Sequence, residues 1–152
     1  MPANEARVLI IEANDALRVM LFTVLRHQPL AVDTVSNSDD AMEKVRTCDY
    51  ALILLDLNLP DDESDEFLRR YRKFRPESTS FILAVRDPRV DLIIDPQMVN
   101  AIVNKPVEID TLADVVRECA IVVPPPEDPL PCSPAESEVR ARLDRGEPSL
   151  PN

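Results

Sequence analysis

Glycine is almost missing from this chain: one, Gly146, occurs in 152 residues. A P-loop and a dinucleotide fingerprint both need glycines where the backbone closes on a phosphate, so neither can precede residue 146. Nucleotide-dependent enzymes of those two kinds are excluded. Positive charge is scarce too. Seventeen Lys and Arg against 28 Asp and Glu leave a formal net charge of −11. Without a basic face to neutralise phosphates, direct nucleic-acid binding is disfavoured. Histidine occurs once, as His27 beside Gln28-Pro29, where a surface helix end is expected rather than a zinc or phosphorelay role. The three cysteines, Cys48, Cys119 and Cys132, are odd in number, far apart and form no C-x-x-C. Reduced thiols without metal or redox roles are expected. No apolar run approaches the roughly 20 residues of a bilayer span, and the N-terminus lacks the basic-then-apolar layout of a signal peptide. A cytoplasmic protein without membrane association is expected.

What the chain does have is apolar residues in short, punctuated runs. Ala51-Leu-Ile-Leu-Leu-Asp56 is followed by Leu-Asn-Leu-Pro60, a continuous apolar run closed by a carboxylate and turn-forming residues. Such a run reads as a parallel strand buried on both faces. Similar runs span 7–11, 30–35, 81–85 and 101–104, separated by helix-like segments. The first helix carries Leu17, Met20, Leu21 and Val24 and stops at Gln28-Pro29. Ser38 is the expected cap of a second carrying Ala41, Met42 and Val45. Phe67, Leu68 and Tyr71 mark a third ending near Pro76, and Leu112, Val115, Val116 and Cys119 a last one over 109–120. Between Asp87 and Asn100, the Asp-Pro pairs at 87–88 and 95–96 break helical geometry, so one short or distorted helix is expected. Leu92-Ile93-Ile94 within it reads as core, against the alternative of an exposed partner patch. The acidic run 61–66 reads as a solvated helix start, where negative charge suits the helix dipole, since it lacks the glycine and ligand order of a calcium loop. Strand–helix alternation repeated five times means a parallel α/β sheet with helices on both faces.

Hydrophobic residues make up 45% and charged residues 30% of the chain, enough for one globular domain with a sizeable core, assigned to residues 5–123. Eight of the fifteen prolines fall within 124–152, so that stretch is expected to be a Pro-rich acidic tail, largely disordered. Ser133-Pro-Ala-Glu136 has the spacing of a capping box. A short helix carrying Val139 and Leu143 could dock on a partner, against the alternative of a solvated segment too short to be stable alone.

In open parallel sheets, ligands bind in the crevice outside the carboxyl ends of the strands. Those ends present Glu12, then Asp56 with Asn58, then Val85-Arg86-Asp87, then Lys105-Pro106. Two carboxylates and an ammonium from separate strands suit a hard divalent cation and a phosphoryl group. With Asp56-x-Asn-x-Pro60 after one apolar strand, Asn104-Lys105-Pro106 after another and a Glu12/Arg18 pairing at the first helix, the chain resembles the receiver domain of two-component response regulators, CheY-like, over roughly residues 7–121. The resemblance implies a flavodoxin-like doubly wound five-stranded sheet in the order 2-1-3-4-5, with a distorted fourth helix. It also implies that Asp56 accepts a phosphoryl group in a phosphorelay, that Lys105 contacts that group, and that the bond from Lys105 to Pro106 is cis. Mg²⁺ would be held by Glu12, Asp56 and the backbone carbonyl of Asn58. A histidine kinase or other signalling protein would be the partner, and a homodimer is a further arrangement.

The chain departs from that pattern at several positions. Ala13 stands where a second metal-binding acid is usual. Losing even an outer partner of a metal ligand costs about 10–100-fold in affinity, so Mg²⁺ binding is expected to be weak or absent. At the switch positions, Val85 replaces a Ser or Thr and Ile102 replaces a frequent aromatic. A hydrogen bond to a charged group is worth roughly 1.5–3 kcal/mol, against about 5.5 kcal/mol needed to throw a two-state switch. Ser64 replaces a common glycine, Lys105 follows Val85 by 20 positions, and no glycine-alanine pair precedes the last strand.

The expected function is therefore a degenerate receiver that signals through protein contacts. The alternative is a phosphorylation-independent pseudo-receiver acting as a protein-binding module. An enzyme is not expected: a haloacid-dehalogenase-like phosphatase would need an acid two positions after Asp56, where Asn58 stands. No output domain is expected after the receiver-like part, unless the chain is a fragment of a longer one.

Overall fold

The structure, a computed structural model, describes residues 6–90 and 95–122. Five strands, β1 (Ala6–Ile11), β2 (Leu30–Val35), β3 (Leu52–Asp56), β4 (Phe81–Arg86) and β5 (Ala101–Asn104), form one sheet in the order β2-β1-β3-β4-β5. Every pairing is parallel. Four helices, α1 (Asp15–Leu25), α2 (Ser38–Thr47), α3 (Glu63–Phe74) and α4 (Ile109–Val122), complete the described fold.

The apolar runs form strands because both of their faces find cover. Along β3, Ile53 and Leu55 face one core with Met42 and Val45 of α2 and Phe67, Leu68 and Tyr71 of α3. Leu52 and Leu54 face a second core with Leu21 and Leu25 of α1 and Leu112 and Val116 of α4. All five residues of β3 are buried, and burying a Leu or Ile side chain contributes about 1.5–3 kcal/mol. The strand order reverses between β1 and β3, which opens a crevice at their carboxyl ends.

Several local expectations shift. The cap of α2 is Asn37, not Ser38: Asn37 is extended and its side chain accepts from the Asp40 N–H at 2.8 Å. Ser38 instead lies buried in the first turn, its N–H and hydroxyl donating to Glu63 Oε1 at 3.0 and 3.1 Å. Both residue types can cap, and the tie to Glu63 decides which one turns outward. The acidic run does not start its helix as a block. Asp61 and Asp62 both have φ 57°, a left-handed geometry that Asp tolerates better than most residues, and they form a turn before α3 begins at Glu63.

Between β4 and β5 the described chain makes only a 3-10 turn, Pro96–Met98, with the Asp95 side chain accepting from the Gln97 N–H. Asn100 ties this segment to the sheet: its Oδ1 accepts from Ile82 N at 2.7 Å and its own N–H donates to Ile82 O. Leu92-Ile93-Ile94, the 124–152 stretch, Ser133–Glu136 with Val139 and Leu143, and Cys132 lie outside the described residues. Cys48 is disulfide-bonded, so reduced thiols hold at Cys119 but not there. Pairing requires Cα atoms within about 7 Å, a condition that counts and spacings along the chain do not report.

Candidate functional site

The carboxyl ends of β1, β3, β4 and β5 share one rim of the sheet. Glu12 follows β1 directly, Asp56 ends β3, and Lys105 follows β5 with a cis bond to Pro106. Glu12 and Asp56 are 4% and 6% exposed. Lys105 Nζ lies 3.6 Å from Asp56 Oδ1. The three groups thus meet across 93 positions of sequence. A cleft of about 280 Å³ opens over them, bounded also by Val85, Arg89, Pro106 and Val107.

The acids are tightly placed. The Glu12 carboxyl hydrogen-bonds to Asp56, and its Oε2 accepts the Asn14 N–H at 3.1 Å. Burial first, then the hydrogen bond to Asp56 and the charge there, push Glu12 up to about 7; the Asn14 N–H and Lys105 act in the opposite direction. Burial disfavours the charged form, and a neighbouring like charge adds to it. Asp56 Oδ1 accepts the Asn58 N–H at 2.9 Å, and its main-chain carbonyl accepts the Ser64 hydroxyl at 2.6 Å. A serine where glycine was expected therefore anchors the loop after β3.

The Glu12/Arg18 pairing takes another form. Arg18 Nη1 donates to the Glu12 main-chain carbonyl at 3.0 Å, and its other nitrogen pairs with Asp15. Asp15 is thereby held away from the rim, at 86% exposure, and does not replace the acid that Ala13 lacks. Val85 pairs in register with Asp56 and is buried in the α1/α4 core. Ile102 is partly buried against the α2/α3 core.

Sequence reasoning missed Arg89. Asn58 Oδ1 accepts the Asp87 N–H at 2.9 Å. Asp87 in turn receives Arg89 at both oxygens, from Nε at 3.0 Å and Nη2 at 2.8 Å, and from the Arg89 N–H at 3.0 Å. The guanidinium, chiefly by hydrogen bonding, holds the Asp87 carboxyl down at about 2. The signal that could have found it is Asp87-Pro88-Arg89, an Asp accepting from the backbone two residues on, immediately after a strand end.

Among the described residues no three His, Cys, Asp or Glu side chains converge as a metal cluster. Two carboxyls close enough to share a hydrogen bond remain, and Mg²⁺ is commonly held by one or two carboxylates while keeping several waters. The donor set fits that ion at the minimum.

The model of the family described as "Response regulator receiver domain" matches residues 8–117. The chain is 33% identical over 81 residues to the transcriptional regulatory protein PmrA of Pectobacterium parmentieri, covering 53% of this chain and 36% of that protein. It is 33% identical over 70 residues to the transcriptional regulatory protein ResD of Bacillus subtilis, covering 46% and 29%. The chain thus spans about a third of the length of these two curated relatives. Its fold superimposes on a response regulator receiver domain (CheY-like) from Methylobacillus flagellatus with a TM-score of 0.63 and 25% identity, covering 75% of this chain and 98% of that one.

Proposed function

The chain belongs to the response regulator receiver family of two-component signalling, and on that premise we propose that Asp56 accepts a phosphoryl group and Lys105 contacts it. The observation that supports this reading is the 3.6 Å between Lys105 Nζ and Asp56 Oδ1. An Asp56 oxygen would attack the phosphorus of a phosphohistidine; the P–N bond breaks and the imidazole nitrogen takes its electron pair. Attack by one anion on another needs cationic neutralisation, because positioning and electrostatics are nearly all of phosphoryl-transfer catalysis. Lys105 contributes one positive charge. Asn58, by donating its N–H to Asp56 Oδ1, helps hold the carboxylate in place.

Glu12, Asp56 and the Asn58 carbonyl would hold Mg²⁺, which when bound supplies further neutralisation of the phosphoryl oxygens. Ala13 adds no ligand, so affinity is weak. Response regulators work with histidine kinases and some form homodimers; a histidine kinase is the proposed phosphodonor here, and a second copy or another signalling protein a further partner. No helix among the described residues is long and apolar enough to cross a membrane, and we place the protein in the cytoplasm, without enzymatic output of its own. Residues 5–123 are read as the receiver unit and 124–152, on composition, as a Pro-rich tail. Incubation with acetyl phosphate, and titration with beryllofluoride and Mg²⁺ followed by NMR, test the reading. No mass gain and no shift around Asp56 and Lys105 at millimolar Mg²⁺ would overturn it.

A second reading, a phosphorylation-independent binding module, is favoured by Val85, whose side chain is buried beside Asp56 with no hydroxyl to offer. Under it, Asp56→Asn leaves partner binding and output unchanged; loss of output with binding intact would exclude it.

A further inference from the structure

We propose that Arg89 is the second cationic contact of a phosphoryl group on Asp56, standing in for the hydroxyl that Val85 lacks. The inference rests on the reading of Asp56 as acceptor and adds a residue to that site. Phosphorylation adds negative charge to a cleft already holding Glu12 and Asp56, with Lys105 as the cation in contact with Asp56. Arg89 is the other cationic side chain among the described residues that borders this cleft. The remaining candidates are engaged elsewhere: Arg86 donates to Asn104 Oδ1 at 3.1 and 3.2 Å, and Arg18 holds the Glu12 carbonyl and Asp15.

Its present partner suits a parked group. The fork grips both oxygens of Asp87, whose N–H binds Asn58 Oδ1, and Asn58 in turn donates to Asp56 Oδ1. The guanidinium is thus tethered to the acceptor through a chain of direct hydrogen bonds. It is not packed there: its side chain is 86% exposed. An ion pair so open to water holds its geometry weakly. A phosphoryl group offers the same planar fork oxygens of higher charge, and charge-assisted bidentate bonds of this kind are among the strongest that Arg makes. Transfer of the fork from Asp87 to phosphate needs side-chain rotation about an exposed stem and no rearrangement of the sheet.

The test is beryllofluoride binding to the full chain with Mg²⁺, followed by NMR, in wild type, Arg89→Ala, Arg89→Lys and Asp87→Asn. Loss of a hydrogen-bonded contact to a charged group predicts affinity lower by roughly tenfold to a hundredfold in Arg89→Ala. Arg89→Lys, keeping charge but not the fork, should fall between, and Asp87→Asn should bind a few-fold tighter because its competitor for the guanidinium is gone. Equal affinity in wild type and Arg89→Ala overturns the proposal while leaving Asp56 as acceptor. A loss in Asp87→Asn as large as that in Arg89→Ala also overturns it, since the pair would then act only as a strut for Asn58. No binding by the wild type sinks both this inference and the reading beneath it.

Discussion

The Glu12 and Asp56 carboxyls, at the ends of neighbouring strands, lie within hydrogen-bonding reach of each other at the rim of the sheet. Burial first, and then the adjacent carboxyl, favour the protonated form of Glu12.

The pH dependence of stability follows from that contact. Glu12 is raised from 4.5 to about 7, so the folded state favours its protonated form. The contribution is fully present below 4.5 and is lost as pH rises through 7. At about 1.4 kcal/mol per unit, the loss approaches ~3 kcal/mol. Urea unfolding between pH 5 and 8 without divalent ions should show wild type weakening relative to Glu12→Gln, which stays flat. Parallel curves for the two proteins would refute the assignment.

Restoring an acid beside Glu12 should restore metal affinity. Ala13→Asp is expected to tighten Mg²⁺ binding by at least about tenfold, since even outer partners of metal ligands are worth that much. Calorimetric titration of both proteins reads the difference, and identical isotherms would contradict it.

Val85→Thr separates function from stability. Val85 is buried in the α1/α4 core, and a hydroxyl placed there without a partner costs about 1–3 kcal/mol. With beryllofluoride present the same hydroxyl gains a charged partner worth roughly 1.5–3 kcal/mol. The variant should therefore unfold at lower urea alone and bind beryllofluoride about tenfold tighter. Weaker binding than wild type would count against Val85 as the missing phosphoryl contact.

A buried polar pair at the sheet edge provides a control remote from the rim. Tyr50 donates to Asp33 Oδ2 at 2.7 Å, where Arg7 also approaches at 3.4 Å, and Asp33 is 1% exposed. Asp33 Oδ1 already lacks a hydrogen bond. Tyr50→Phe removes a donor from a buried carboxylate, and such losses run to about 1–3 kcal/mol. Urea midpoints should fall accordingly, with Mg²⁺ affinity untouched; a neutral substitution would show that Arg7 alone satisfies Asp33.

Much of this was legible in the chain itself. The strands were, because Leu52–Asp56 and its counterparts are apolar on both faces and a parallel sheet is the arrangement that covers both. Glu12, Asp56 and Lys105 were legible as a group because each ends or follows such a run, and strand ends of one sheet share a rim. Arg89 was not: it lies beyond the last strand residue of β4, in a segment broken by proline, where periodicity carries no information. The bond at Cys48 was hidden for a different reason, since spacing in sequence says nothing of Cα separation. Asn37 and Ser38 are equally good caps by type, and the choice was made by Glu63, 25 positions away. The left-handed Asp61 and Asp62 were equally silent, as that geometry is set by the path from Pro60 into α3.

The strand carrying Asp56 is bonded on both flanks, to Val8–Ile11 on one side and to 81–85 on the other. Such a beam cannot slide along its length without breaking two ladders together. A charge added at its tip would therefore be met by the pieces bordering it, the 57–62 turn and the 87–90 corner, which Asn58 ties to each other. On the reading of Asp56 as acceptor, the response starts in those two corners, not in the timber of the sheet.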